Sequence, residues 1–287
     1  MSKAPVLLVF GQSNAHASGV RLPENERILS PLSRVLTLPR AENQFYSPAA
    51  VIWRGYTTED TNLGECQDHT DCFPTAYAWL WEDNAGSLGL PDLYVIRISI
   101  GAQGVTEGYM WHPLHPRRLI PGPRGAADLA LFPFSCDVIR RAFDDLRSRG
   151  LEPVVTGLHW FGTEEETGVP TQRLDVLTVL HRVLIRGWRE AAGCKVPVIL
   201  YKLRCVERSA AMGEDPRCIE TINASFARLA EEEKDVFAAD PRDCPLYDPS
   251  DPFNNGLYAD GVHLSGPVNR WLAETAFRKD LSALGLD

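Results

Sequence analysis

Val6-Leu-Leu-Val-Phe10, followed at once by Gly11-Gln12-Ser13-Asn14, is the stretch on which the fold turns. Five consecutive apolar residues without polar alternation predict a strand buried on both faces, the habit of a parallel sheet covered by helices. Similar runs recur at Leu93–Ile100, Pro153–Trp160, Val196–Leu203 and Val236–Ala239. Helical patterns lie between them, at Thr75–Trp81, Ala127–Arg149, Thr171–Ala192 and Ile219–Lys234. A last helix is expected from about Pro267 to Leu284, with Pro267 suited to its first turn. Alternating strands and helices imply βαβ units. The expected architecture is therefore α/β, a three-layer α/β/α sandwich with a central parallel sheet, built as one domain over 1–287. A Pro-rich, weakly periodic, loop-rich insertion is expected at about 18–71.

In such sheets ligands bind beyond the carboxyl ends of the strands, so chemistry is sought just after each apolar run. Ser13, behind a glycine at the end of the first strand, can present its hydroxyl on a sharp turn, with its own N–H free to donate to an oxyanion. It can equally cap a short helix. No glycine follows two places later, so this is not the GxSxG elbow. Near the other end, Asp260-Gly-Val-His263 precedes the final helix. That spacing lets a carboxylate reach the imidazole Nδ1–H while Nε2 faces outward, which is what a serine needs from its base. An isolated pair of this kind more commonly ties down a loop.

Taken together, the two segments resemble the SGNH (GDSL-like) hydrolase superfamily and, more loosely, its sialate O-acetylesterase-like carbohydrate esterases. The resemblance implies a flavodoxin-like SGNH hydrolase fold without a cofactor or metal. It makes Ser13 the nucleophile, His263 the general base and Asp260 its orienter. Ser13 and a glycine of Ile98-Ser-Ile-Gly101-Ala-Gln103-Gly104 would supply oxyanion N–H groups, with Gly101 preferred to Gly104. The third block departs from the pattern. Where those esterases read Trp-His-Gln-Gly-Glu, this chain reads Trp160-Phe161-Gly162-Thr163-Glu164, so Gly162 stands in place of the amide donor. The candidates to replace it are a backbone N–H, Thr163, Asn14 or Gln103. Losing one donor costs about 10²–10³ in rate.

Gln12, Trp53, Trp111, His112, Phe161 and Glu164 are the candidate substrate contacts. The aromatic rings suit stacking on a sugar, and equally suit packing the long loops. Glu164-Glu165-Glu166 reads as a solvated edge or a loop pin rather than a glycosidase acid pair. His69, His159 and His181 read as structural.

Composition narrows the partners. Thirty-eight acidic against 29 basic residues give a net charge of −9, and Arg117, Arg118 and Arg124 form no basic patch. Nucleic acid and anionic membranes are therefore not expected as partners. Seven cysteines without a CxxC pair exclude zinc ribbons and a fully paired disulfide framework. Cys66 and Cys72 would pair in an exported protein, and the spacing of Cys66, His69, Asp71 and Cys72 fits no standard structural zinc site. Val6–Phe10 is shorter than a signal-peptide core and lacks a cleavage site, which gives a cytoplasmic expectation, or an exported one if a leader was removed. The expected function is hydrolysis of short acyl esters, chiefly acetyl, of a carbohydrate or similar polyol through an acyl-enzyme. An acyltransferase using the same triad and a catalytically quiet carbohydrate-binding protein are the alternatives.

Overall fold

The computed structural model describes residues 1–16, 20–40, 51–65, 68–116, 130–203, 215–250 and 256–284. Its sheet has seven strands: β1 (Ser2–Gly11), β2 (Val35–Thr37), β3 (Arg54–Gly55), β4 (Leu93–Ser99), β5 (Leu151–Phe161), β6 (Val198–Tyr201) and β7 (Val236–Ala239). They lie in the order β3-β2-β4-β1-β5-β6-β7, and all neighbours are parallel except the edge pair β2–β3. The helices are α1 (Ser13–His16), α2 (Phe73–Ala85), α3 (Leu131–Ser148), α4 (Leu177–Ala192), α5 (Arg217–Glu232) and α6 (Gly266–Leu284).

β1 is central because every residue from Ala4 to Gly11 is buried. Alternate side chains feed two cores. Val6, Leu8 and Phe10 join residues of α3, α4 and α5 on one face, while Leu7 and Val9 join α2 and α6 on the other. The three layers and the parallel core of the sheet follow the sequence reading. Three details differ. The insertion supplies an antiparallel edge, because β3 returns directly alongside β2. Thr171–Val176 forms a 3₁₀ lead-in to α4, behind Pro170. β6 is shorter than its apolar run, and the run's Pro197 has no N–H for the ladder. The first three residues of the helix expected at Ala127–Arg149, 127–129, lie outside the described residues. Cys66 does too, whereas Cys72 is a free, buried thiol at the N-terminus of α2, 3.3 Å from Thr75 Oγ1. The Cys66–Cys72 pairing expected of an exported protein therefore falls outside the described residues.

Two helices on the second face are joined by an acid. Tyr77 of α2 donates to Asp280 Oδ2 of α6 at 2.6 Å. Burial raises the Asp280 pKa to about 7, against the opposing hydrogen bonds from Tyr77 and Thr156. The folded state thus keeps a proton that the unfolded chain loses near pH 4. Its stabilising contribution is full below that pH and is lost as pH rises through about 7. Asp280→Asn should remove this dependence. In urea unfolding, the variant is expected to gain about 2–4 kcal/mol relative to wild type between pH 4 and pH 8. An equal difference at both pH values would contradict a buried neutral acid.

Candidate active site

The carboxyl ends of β1, β4 and β5 converge. Gly11 ends β1 with φ +144°, and a Cβ there would lie 1.8 Å from the Phe161 carbonyl oxygen. Glycine alone permits this approach. The Gln12 N–H then bonds the Phe161 carbonyl at 2.7 Å, which joins the ends of β1 and β5. Ser13 follows as the first residue of α1, with 8% of its surface exposed.

Asp260 and His263 occupy a tight loop closed by the Ala259 N–H to His263 carbonyl bond (2.8 Å) and a bridge between Tyr258 and Leu264. His263 Nδ1 lies 2.6 Å from Asp260 Oδ2, and the backbone N–H groups of Val262 (3.0 Å) and His263 (2.8 Å) donate to Oδ1. Partial burial alone would raise the Asp260 pKa. The three hydrogen bonds outweigh it and lower the pKa, so the carboxylate is ionised at neutral pH. An ionised acceptor fixes the proton on Nδ1 and leaves the Nε2 lone pair available as a base.

Asn14 couples this loop to the serine turn. Its Nδ2 donates to the Val262 carbonyl (3.0 Å) and to Glu164 Oε1 (2.7 Å), and its Oδ1 accepts the Leu264 N–H (2.8 Å). The residue after Ser13 therefore holds both neighbours of His263. Gln12 Nε2 donates to the other oxygen of Glu164 at 2.6 Å. Glu164 is raised in pKa by burial, against the Asn14 bond, its own N–H and the nearby His263 charge. Asn14, Phe161, Gly162, Glu164 and Val262 line one narrow cleft. Neither this cleft nor a cavity of about 490 Å³ over β6 and β7 is lined by an expected triad residue.

The other expected site residues divide. Gly101 adjoins Ser13, since a Cβ on it would lie 4.0 Å from Ser13 Cβ. Gly104 instead makes room for buried Glu166, which accepts the Val105 (2.6 Å) and Thr106 (2.9 Å) N–H groups and whose pKa burial raises to about 7. Of the candidate replacement donors, Asn14 and Thr163 are engaged elsewhere, whereas the bond to Gln103 falls on its acceptor oxygen and not on its donor. Both donor directions of Asn14 are used, and Gln103 Oε1 accepts the Met110 N–H (3.3 Å). Thr163 is wholly buried, its hydroxyl 3.3 Å from both Trp160 Nε1 and His181 Nε2. Position 162 has no room for an amide side chain, because a Cβ there would lie 2.5 Å from the Trp160 ring.

The expected stacking platform is corrected. Trp111 is fully buried against Phe10, Trp160 and Trp188, with Nε1 bonded to the Gly11 carbonyl at 3.0 Å. Trp53 packs on Tyr94, at the amino end of β4, and donates to Asp145 at 2.9 Å. It therefore stands at the wrong end of the sheet. His112 Nδ1 accepts the N–H groups of Leu114 (3.2 Å) and His115 (2.8 Å), so it shapes its own turn. Phe161 is buried and stacks on Tyr201. Glu65, within the insertion, carries no motif that marks it, yet its carboxylate accepts the Gly101 N–H at 2.8 Å.

Removing Asn14 takes away the partner of a buried N–H, that of Leu264, and of the partly buried Val262 carbonyl in the His263 loop. Asn14→Ala is expected to cost about 1–3 kcal/mol in denaturant unfolding and to speed hydrogen exchange at the Leu264 amide. Unchanged exchange there would mean that the loop is held by other contacts.

No family model and no curated protein matches the sequence. Solved structures do match in shape. NanS superposes with a TM-score of 0.63 at 16% identity, over 97% of this chain and 98% of its own. A protein of Arabidopsis thaliana gives 0.58 at 14%, over 98% of each chain. A carbohydrate acetylesterase from Xanthomonas citri gives 0.52 at 15%, over 97% of this chain but 55% of that longer one. The seven-stranded, mostly parallel sheet between two helical layers is common ground with these structures. At 14–16% identity this likeness is one of fold, the α/β fold that the sequence reading expected.

Proposed function

We propose that the protein is a serine esterase that hydrolyses short acyl esters, chiefly acetyl, of a carbohydrate or similar polyol. The observation that carries this reading is the His263–Asp260 pair at 2.6 Å in a loop tied on both sides to Asn14, the residue next to Ser13. In this reading His263 Nε2 takes the Ser13 hydroxyl proton as Oγ attacks the ester carbonyl. The tetrahedral oxyanion rests on the Ser13 and Gly101 N–H groups. The alcohol leaves with the proton from His263, and a water activated by the same nitrogen then releases the acid. Asp260 keeps the ring in the productive tautomer. The acetyl preference draws on the likeness to the Xanthomonas citri carbohydrate acetylesterase.

Ser13→Ala and His263→Ala should each lower kcat by roughly 10⁴ or more in acetate release from acetylated saccharides, and the double variant should lose little further. An active Ser13→Ala protein would overturn the mechanism. Acyl length offers a separate check. On p-nitrophenyl esters kcat/KM is expected to fall steeply from acetate to octanoate, since each excluded methylene is worth about 1–3 kcal/mol. Equal or better turnover of octanoate would point to a lipase-like or thioesterase role.

A further inference from the structure

Glu65 occupies a position that the proposed chemistry needs. Its Oε2 accepts the Gly101 N–H at 2.8 Å, the group assigned to the substrate's carbonyl oxygen, and Gly101 itself borders Ser13. The placement is built into the backbone. The Glu65 N–H donates to the Ser99 carbonyl (2.8 Å), at the end of β4. Asn62 Nδ2 donates to the Glu65 (2.8 Å) and Ser99 (2.9 Å) carbonyls, while its Oδ1 accepts the Ser99 N–H (2.9 Å). Glycine is needed just before, because a Cβ at Gly64 would lie 2.0 Å from the Ser99 oxygen.

Among the described residues, the one basic side chain within 4 Å of that carboxylate is His16, with Nε2 at 3.6 Å. His16 is wholly buried, and its Nδ1 lies 2.8 Å from Ser99 Oγ. Burial, reinforced by the charges of Arg97 and His263, lowers its pKa to about 3, so it is neutral at pH 7. His16 therefore brings no positive charge to the Glu65 carboxylate, and Glu164, bonded to Asn14, is a further acidic group at the site.

Building on the esterase reading, we propose that Glu65 is a specificity-determining residue: its carboxylate, seated on the Gly101 N–H, selects neutral esters and disfavours those that carry a carboxylate of their own. A substrate must first displace the carboxylate from Gly101 and then sit within several ångströms of it. At about 6 Å, with an effective dielectric between 20 and 80, repulsion of a substrate carboxylate is worth roughly 3- to 100-fold. The side chain is 41% exposed, which places the effect nearer 10-fold and makes it sensitive to salt.

The test compares 3-acetoxybenzamide with 3-acetoxybenzoate, which share an acetyl group and a shape but differ in charge. The ratio of their kcat/KM values, each divided by its uncatalysed rate, should favour the benzamide roughly 10-fold in wild type at low salt and shrink at high salt. Glu65→Gln, which keeps the shape and loses the charge, and Glu65→Ala should each bring the ratio near one and remove its salt dependence. A merely structural role for Glu65 would change both substrates alike. The same comparison is made without turnover, by titrating benzoate and benzamide into Ser13→Ala and into the Ser13→Ala/Glu65→Gln double variant. The double variant should bind benzoate relatively about 10-fold better. Ratios that do not respond to either Glu65 variant overturn the inference while leaving Ser13-dependent hydrolysis intact. Hydrolysis that survives Ser13→Ala overturns the esterase reading instead, and the binding ratios then decide the role of Glu65 by themselves.

Discussion

A backbone crossing without a side chain organises this molecule. Gly11 lets the end of β1 press against the end of β5 so closely that no Cβ fits between Gly11 and the Phe161 oxygen. The hydrogen bond from the Gln12 N–H to that oxygen and the one from the Trp111 indole to the Gly11 carbonyl both depend on the crossing. It starts α1 at Ser13, and it sends Gln12 and Asn14 toward Glu164, three residues beyond Phe161. A bulkier residue at position 11 would part the two strands and take the serine turn with them.

Carboxylates act as fasteners across this architecture. Glu164 joins the serine turn to β5, Glu166 gathers the loop after β4, and Asp280 joins the two helices of the second face. Each accepts hydrogen bonds from neutral donors: amides, hydroxyls and backbone N–H groups. Burial raises all three pKa values, and for Glu166 and Asp280 it raises them to about 7. Hydrogen bonds offset much of the desolvation that unpaired buried carboxylates would suffer. Their geometry is directional, which suits parts whose relative placement matters.

Much of the framework is legible in the sequence because burial on both faces leaves a local record. The runs that form β1, β4, β5 and β7 announce themselves, and so do the segments carrying Ser13 and the Asp260–His263 pair. What escapes is whatever depends on partners far along the chain. Asn14 looks like an oxyanion donor when only its neighbours are considered, and it becomes a tie once Val262, Leu264 and Glu164 are known. Trp53 and Trp111 look like a sugar platform because aromatic composition carries no exposure. The core claims one ring and the amino end of the sheet the other. The Gly162 departure has a local cause, the Trp160 indole two residues before it, but only the folded ring position shows it. Glu65 sits in weakly periodic sequence whose order comes from Asn62 and the β4 backbone.

The contacts of Asn14 with Val262 and Leu264 span 248 and 250 residues of chain, and this bears on how the molecule comes into being. A chain made from its amino end presents the serine turn long before the histidine loop. Domains generally fold as units during synthesis, and loop-closure entropy must be paid before so distant a contact returns anything. β1 also needs β4 and β5 on either side before it is enclosed, so its apolar run stays open until β5 has been made. The nascent protein therefore carries this apolar segment unprotected over that interval, and a chain interrupted before the histidine loop also lacks the cover that α6 gives Leu7 and Val9. Late closure of this kind makes slow folding and chaperone dependence the expected features of its biogenesis.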